Sequence, residues 1–123
     1  MAWRVLDERA HGETEGKWRS VYGPAFSGRG RVRTGAKAEY AYQCEQTDHY
    51  LIVPFLSDVP GVPMHARGRR MSAHECWGQL LSLADFRDVE LFVSPVDLGW
   101  TLVHTHEDYA WGGPYFIRAD WLR

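Results

Sequence analysis

The stretch Val89-Glu-Leu-Phe-Val-Ser-Pro-Val-Asp-Leu-Gly-Trp-Thr-Leu-Val-His-Thr-His106 decides the fold. Residues 89–94 are rich in β-branched and aromatic side chains, as a strand requires. Pro95 to Gly99 supply the turn residues, and 100–106 return as a second strand. Side chains alternate across a strand, so Trp100, Leu102, His104 and His106 share one face. Thr101, Val103 and Thr105 share the other. This is a β-hairpin with an apolar interior, and Trp100 and Leu102 are its core-facing anchors.

Working outward, residues 38–56 read as a second hairpin. Ala38, Tyr40, Tyr42 and Cys44 alternate with Glu39, Ala41, Gln43 and Glu45, which is the period of a half-buried strand. Gln46-Thr-Asp48 makes a turn, and 49–56 return. The run Tyr50-Leu-Ile-Val-Pro-Phe-Leu56 is apolar at both parities, which predicts a central strand. Pro54 cannot donate to a ladder and predicts an edge or a bulge at that point.

Between the hairpins, residues 72–85 predict the main helix. Ser72-Ala-His-Glu75 fits a capping box, and Cys76, Trp77, Leu80, Leu81 and Ala84 recur at helical spacing. Residues 57–70, with two prolines and two glycines interleaved, read as a loop. Near the start, Trp3, Val5 and Leu6 fit either a strand or a short helix. Trp18, Val21 and Tyr22 cluster at helix-compatible spacing before Gly23-Pro24. Strands flanking a main helix predict an α+β domain spanning residues 1–123, with an antiparallel sheet built from two hairpins and helices on one face.

Composition bounds the function. The 123 residues carry 14 Lys and Arg against 16 Asp and Glu, a formal net charge of −2. Such a chain has no overall attraction for nucleic acid or membrane surfaces. The arginine groups Arg29, Arg31, Arg33 and Arg67, Arg69, Arg70 read as solvated loops. They lack the spacing of a phosphate-binding loop, so nucleic acid is not expected as a partner. No apolar run approaches the ~20 residues that span a bilayer. The opening residues turn charged without an apolar leader, and Cys44 and Cys76 sit at apolar positions without a CxxC pair. The expectation is a cytoplasmic protein in a reducing setting.

Chemistry concentrates in His104-Thr-His106-Glu107-Asp108. His104 and His106 on one strand face are candidate ligands of a divalent metal, with Glu107, Asp108, His65, His74 or Cys76 as a third. His106, Glu107 and Asp108 are the candidate acid/base residues, because a carboxylate can orient an imidazole. Ser94, Thr101, Thr105 and Cys76 are the nearby nucleophile types, and nothing in the sequence marks any of them as activated. With neither set complete, no cofactor is assigned. The following turn carries Tyr109, Trp111, Tyr115 and Arg118, residue types that anchor protein interfaces. The leading expectation is a non-enzymatic module that binds another protein. The alternative is a metal-dependent or acid/base enzyme centred on His104, His106 and Glu107.

The same quarter of the chain carries a resemblance. Trp100-Thr101, Thr105-His106-Glu107 and Gly113-Pro114-Tyr115-Phe116 resemble the C-terminal pattern of a group of short bacterial proteins of unknown function. The resemblance implies a bacterial cytoplasmic setting and no mechanism.

Overall fold

The computed structural model describes residues 2–27, 32–56, 72–86, 89–105 and 112–122. Seven strands among them form one antiparallel sheet: β1 (Ala2–Val5), β2 (Arg33–Thr34), β3 (His49–Pro54), β4 (His74–Trp77), β5 (Leu91–Pro95), β6 (Trp100–His104) and β7 (Tyr115–Arg118). Their spatial order is β1-β4-β3-β5-β6-β7-β2. Helix α1 (Glu8–Tyr22) covers one face and helix α2 (Ala36–Gln43) the other.

The expected α+β architecture is present. The 89–106 hairpin appears as β5 and β6, paired Leu91 to His104 and Val93 to Leu102. Every residue of β5 is buried, and only His104 of β6 is partly exposed. Both faces are covered, so apolar side chains of both parities find a core.

Three expectations about the helices and hairpins are corrected, and a fourth, at Pro54, follows below. Residues 36–43 form helix α2, so the proposed first strand of the 38–56 hairpin does not exist. The alternation there was also compatible with a helix: Ala38 and Tyr42, four apart, are buried, while Tyr40 stands 70% exposed. Alanine, lysine, glutamate and glutamine in this run favour helix. Residues 49–54 are a strand, but β3 pairs with β4 and β5 instead.

The 72–85 helix is likewise absent. This stretch contains the short strand β4, a turn at Gly78 with φ +120°, and a 3-10 turn at Leu83–Phe86. Glu75 does not close a capping box; its carboxylate serves Arg4 and His49. Neighbours on both sides, β1 and β3, overrode the helical spacing. Finally, the helices lie on both faces of the sheet, not on one.

Helix α1 is the main helix. Asp7 caps it, accepting from the Ala10 amide at 2.8 Å. His11, Glu15, Trp18 and Tyr22 recur every three or four residues and are all buried against the sheet. Trp18 is the hub of that layer. It stacks on Phe92 at 5.0 Å, meets Phe55 edge-on at 5.1 Å, and donates its indole N–H to Thr101 Oγ1 at 2.7 Å. Tyr22 donates its hydroxyl to Leu98 O. Across the sheet, Trp100 stacks on Phe116 and meets Tyr42 edge-on.

Pro54 is neither at a sheet edge nor in a bulge. Phe55 N–H donates to Glu90 O, so alternation turns the backbone groups of Pro54 away from β5 and toward the β4 side. There β4 has already ended, since its first residue, His74, pairs with Ile52. The missing N–H is therefore not needed. The Pro54 carbonyl, left without a strand partner, accepts from His11 Nε2 at 2.7 Å.

Candidate interaction surface

The sheet ends on one side at β1, whose four residues are all exposed. Its sequence Ala-Trp-Arg-Val alternates, and its partner β4 fixes which side chain faces where. Trp3 and Val5 lie on the α2 side of the sheet, with Cys76 and His74 as their cross-strand partners. Arg4 lies on the α1 side with Glu75. Trp3 is 62% and Val5 49% exposed. Trp77, on the α1 side of the neighbouring strand, is 38% exposed. Three of the seven exposed large apolar side chains among the described residues thus sit on the two outermost strands of this edge.

A polar cluster stiffens the edge. Glu75 accepts from Arg4 through one oxygen and from His49 Nε2 through the other, the latter at 2.6 Å. The His49 ring stacks on Trp77, 5.0 Å between centroids and 12° from parallel. The Glu75 side chain is only 13% exposed. The hydrogen bond from His49, joined by that from Arg4, holds its carboxyl below the usual carboxylate range, against the opposing pull of partial burial. On the other side, the His74 ring meets Trp3 edge-on at 5.2 Å. Both oxygens of Glu75 are therefore engaged, and the carboxylate acts as an anchor for β1.

The phase of the ladder determines what the outer side of β1 offers. Leu6 N–H donates to Ala73 O at 2.8 Å. Antiparallel pairing alternates, so Arg4 and Ala2 also direct their backbone groups to β4. The N–H and C=O groups of Trp3 and Val5 point outward, and no described strand lies beyond them. Natural sheets guard such edges with lysine, proline, bulges or a covering element. Here the one charged residue of the strand is tied back to Glu75.

The residues expected from the sequence fall as follows. His104 is half-buried at the end of β6, and its Nδ1 donates to Thr105 O at 3.0 Å. His106, Glu107, Asp108, Tyr109 and Trp111 lie outside the described residues, as does His65. Tyr115 is half-buried and meets Phe26 edge-on at 6.1 Å. Arg118 is paired with Glu45 and with Asp120. The structure thus packs Tyr115 against the α1-side core and engages Arg118 in ion pairs. Among the described residues no three metal-ligating side chains converge.

The nucleophile types are occupied or enclosed. Thr101 receives the Trp18 indole, and Thr105 is buried. Ser94 is fully buried. Burial pushes the Cys76 thiol up, which keeps it neutral. Arg33 lies over the Trp121 ring at 5.4 Å; the other five arginines of the two loop groups lie outside the described residues. No described helix is long and apolar enough to cross a membrane.

Sequence reasoning missed Trp3, Arg4, Val5, His49, Glu75 and Trp77 as a group. The alternation Trp3-Arg4-Val5 was the available signal. What it lacked was the partner, since Arg4 and Glu75 are 71 positions apart. Comparison of the chain with protein-family models, with curated proteins and with solved structures finds no match to any of them.

Proposed function

We propose that this protein is a non-enzymatic module that binds another protein, and that it does so by accepting an extended segment along the outer edge of β1. The observation that supports this reading is an edge that no described element covers: outward backbone groups at Trp3 and Val5, whose side chains are also exposed and apolar. Strand addition draws affinity from main-chain hydrogen bonds and specificity from alternate side chains, and this edge offers both. The tie of Arg4 to Glu75 pre-orders the strand, which lowers the entropy cost of receiving a partner. Two free cysteines, one exposed and one buried, fit work in the reducing cytoplasm.

The test uses the variant Val5→Pro. Val5 directs its N–H away from β4, so proline removes an outward donor without breaking a bond to β4. Backbone amide exchange is followed by NMR while a pentapeptide of alternating valine and threonine is added. The Trp3 and Val5 amides should slow on binding, and Val5→Pro should abolish binding while the Arg4 amide stays protected. A peptide bound equally well by Val5→Pro, with the Trp3 amide unchanged, would sink the reading.

A further inference from the structure

We infer that the segment received by β1 carries a carboxylate side chain between two apolar residues, and that it comes from a different protein rather than from a second copy of this chain. The inference rests on the edge reading above and adds the chemistry of the partner.

Consider a strand added antiparallel to β1. Because Trp3 and Val5 point their backbone groups outward, the residues opposite them form hydrogen-bonded pairs. The residue opposite Arg4 forms a non-hydrogen-bonded pair, where Cα atoms come to about 4.5 Å and side chains are closest. Side chains opposite Trp3 and Val5 fall on the α2 side of the sheet. They meet an indole 62% exposed and an isopropyl group 49% exposed. Apolar, β-compatible residues suit those two positions.

The middle position is different. Arg4 stands on the α1 side with its side chain 67% exposed. One of its terminal nitrogens is held by Glu75, which fixes the direction of the guanidinium. A guanidinium has five N–H donors in a rigid fork, so one engaged carboxylate leaves donors for another. A carboxylate opposite Arg4 completes a cross-strand row of Glu75, Arg4 and the partner's acid, with charges alternating in sign. A lysine there would face a fixed positive charge at the closest point of the pair.

The same geometry weighs against self-association. A second copy pairing antiparallel through both Trp3 and Val5 must place Trp3 opposite Val5 and Arg4 opposite Arg4. Like charges directly opposite destabilise a strand pair. The other two-fold registers use only one of the two outward residues as a symmetric hydrogen-bonded pair. The edge therefore selects against its own copy and for an acidic strand.

The experiment titrates the full chain into fluorescein-labelled Thr-Val-Glu-Val-Thr and into the same peptide with a central lysine, read by fluorescence anisotropy at low salt. The glutamate peptide should bind roughly five- to tenfold more tightly, the effect of exchanging an attractive for a repulsive cross-strand pair. Arg4→Gln should level the two affinities, and Arg4→Glu should reverse the order. Protection of the Arg4-position amide, which bonds to β4, verifies that β1 is still in place in each variant. Equal binding of both peptides, lost in Val5→Pro, would leave the edge reading standing and overturn the acidic partner. Binding of neither peptide, or binding that Val5→Pro does not touch, would overturn both. A concentration-dependent dimer in sedimentation, abolished by Val5→Pro, would make the second copy the occupant and overturn the proposal.

Discussion

Strands β5 and β1 belong to one sheet, β5 at its centre and β1 at its edge. All five residues of β5 are buried, between the Trp18 layer on one face and the Trp100 layer on the other. All four residues of β1 are exposed, and the strand is held by its ladder to β4, the Leu6 bond to Ala73 and the Arg4–Glu75 pair. The difference is one of what makes the strand. In β5 apolar burial on two faces does it, a contribution of roughly 25 cal/mol for each Å² removed from water. In β1 polar pairing does it, and the apolar side chains are left for something else.

That contrast can be broken from either end. The largest effect belongs to the centre. Trp18→Ala removes the ring stacked on Phe92 and leaves Thr101 Oγ1 without its indole donor. It should cost about 3–5 kcal/mol of global stability in chemical denaturation. A cost below ~1 kcal/mol would mean that α1 is not what seals this face.

A second effect comes from alkali. Tyr22, Tyr42 and Tyr50 donate their hydroxyls to the carbonyls of Leu98, Leu81 and Gln79. Burial pushes all three phenols up, Tyr50 to about 12. An acid whose folded pKa lies above its unfolded value stabilises the fold fully below the unfolded value, about 10 for tyrosine. The denaturation midpoint should therefore be level up to that pH and fall above it. The chain has six tyrosines, so phenolate absorbance near pH ~10 amounting to more than three of them, with no loss of structure, would show hydroxyls of this buried set to be accessible.

The smallest effect belongs to the edge. Glu75→Gln should leave the centre intact and loosen β1 by roughly 0.5–1 kcal/mol, since Arg4 and His49 are partly solvent-exposed. The readout is faster exchange of the Arg4 amide with no change at Val93. Acid should mimic it. The carboxyl of Glu75 is held below its usual range, so its contribution is complete above about pH 4.3 and fades as pH falls through the lowered folded value. In Glu75→Gln that acid-dependent loosening should be missing.

The sequence was legible where burial alone decides. The β5–β6 hairpin, the core assignment of Trp100 and Leu102, and the central place of the Tyr50–Pro54 run all follow from apolar residues of both parities. It misled where two periods share the same residues. Ala38 and Tyr42 fit a strand by alternation and a helix by the interval of four. Cys76, Leu80 and Ala84 fit a helix, yet Gly78 at φ +120° turns the chain between them. The edge was illegible for another reason. Its meaning depends on the pairing of β1 with β4, and no local pattern carries a contact across more than seventy positions.

That separation also sets an order of events during synthesis. Of the seven described strands β1 is made first, and it cannot be installed until β4 has followed it. Because β4 in turn lies between β1 and β3, Trp3 and Val5 remain part of an unpaired segment until His74–Trp77 has been made. Distant pairings of this kind slow folding, because the closing of a long loop precedes the contacts that reward it. A chain handled this way gains its β1 edge only once β4 is in place. On the function proposed above, competence to receive a partner would then itself report that β4 has docked.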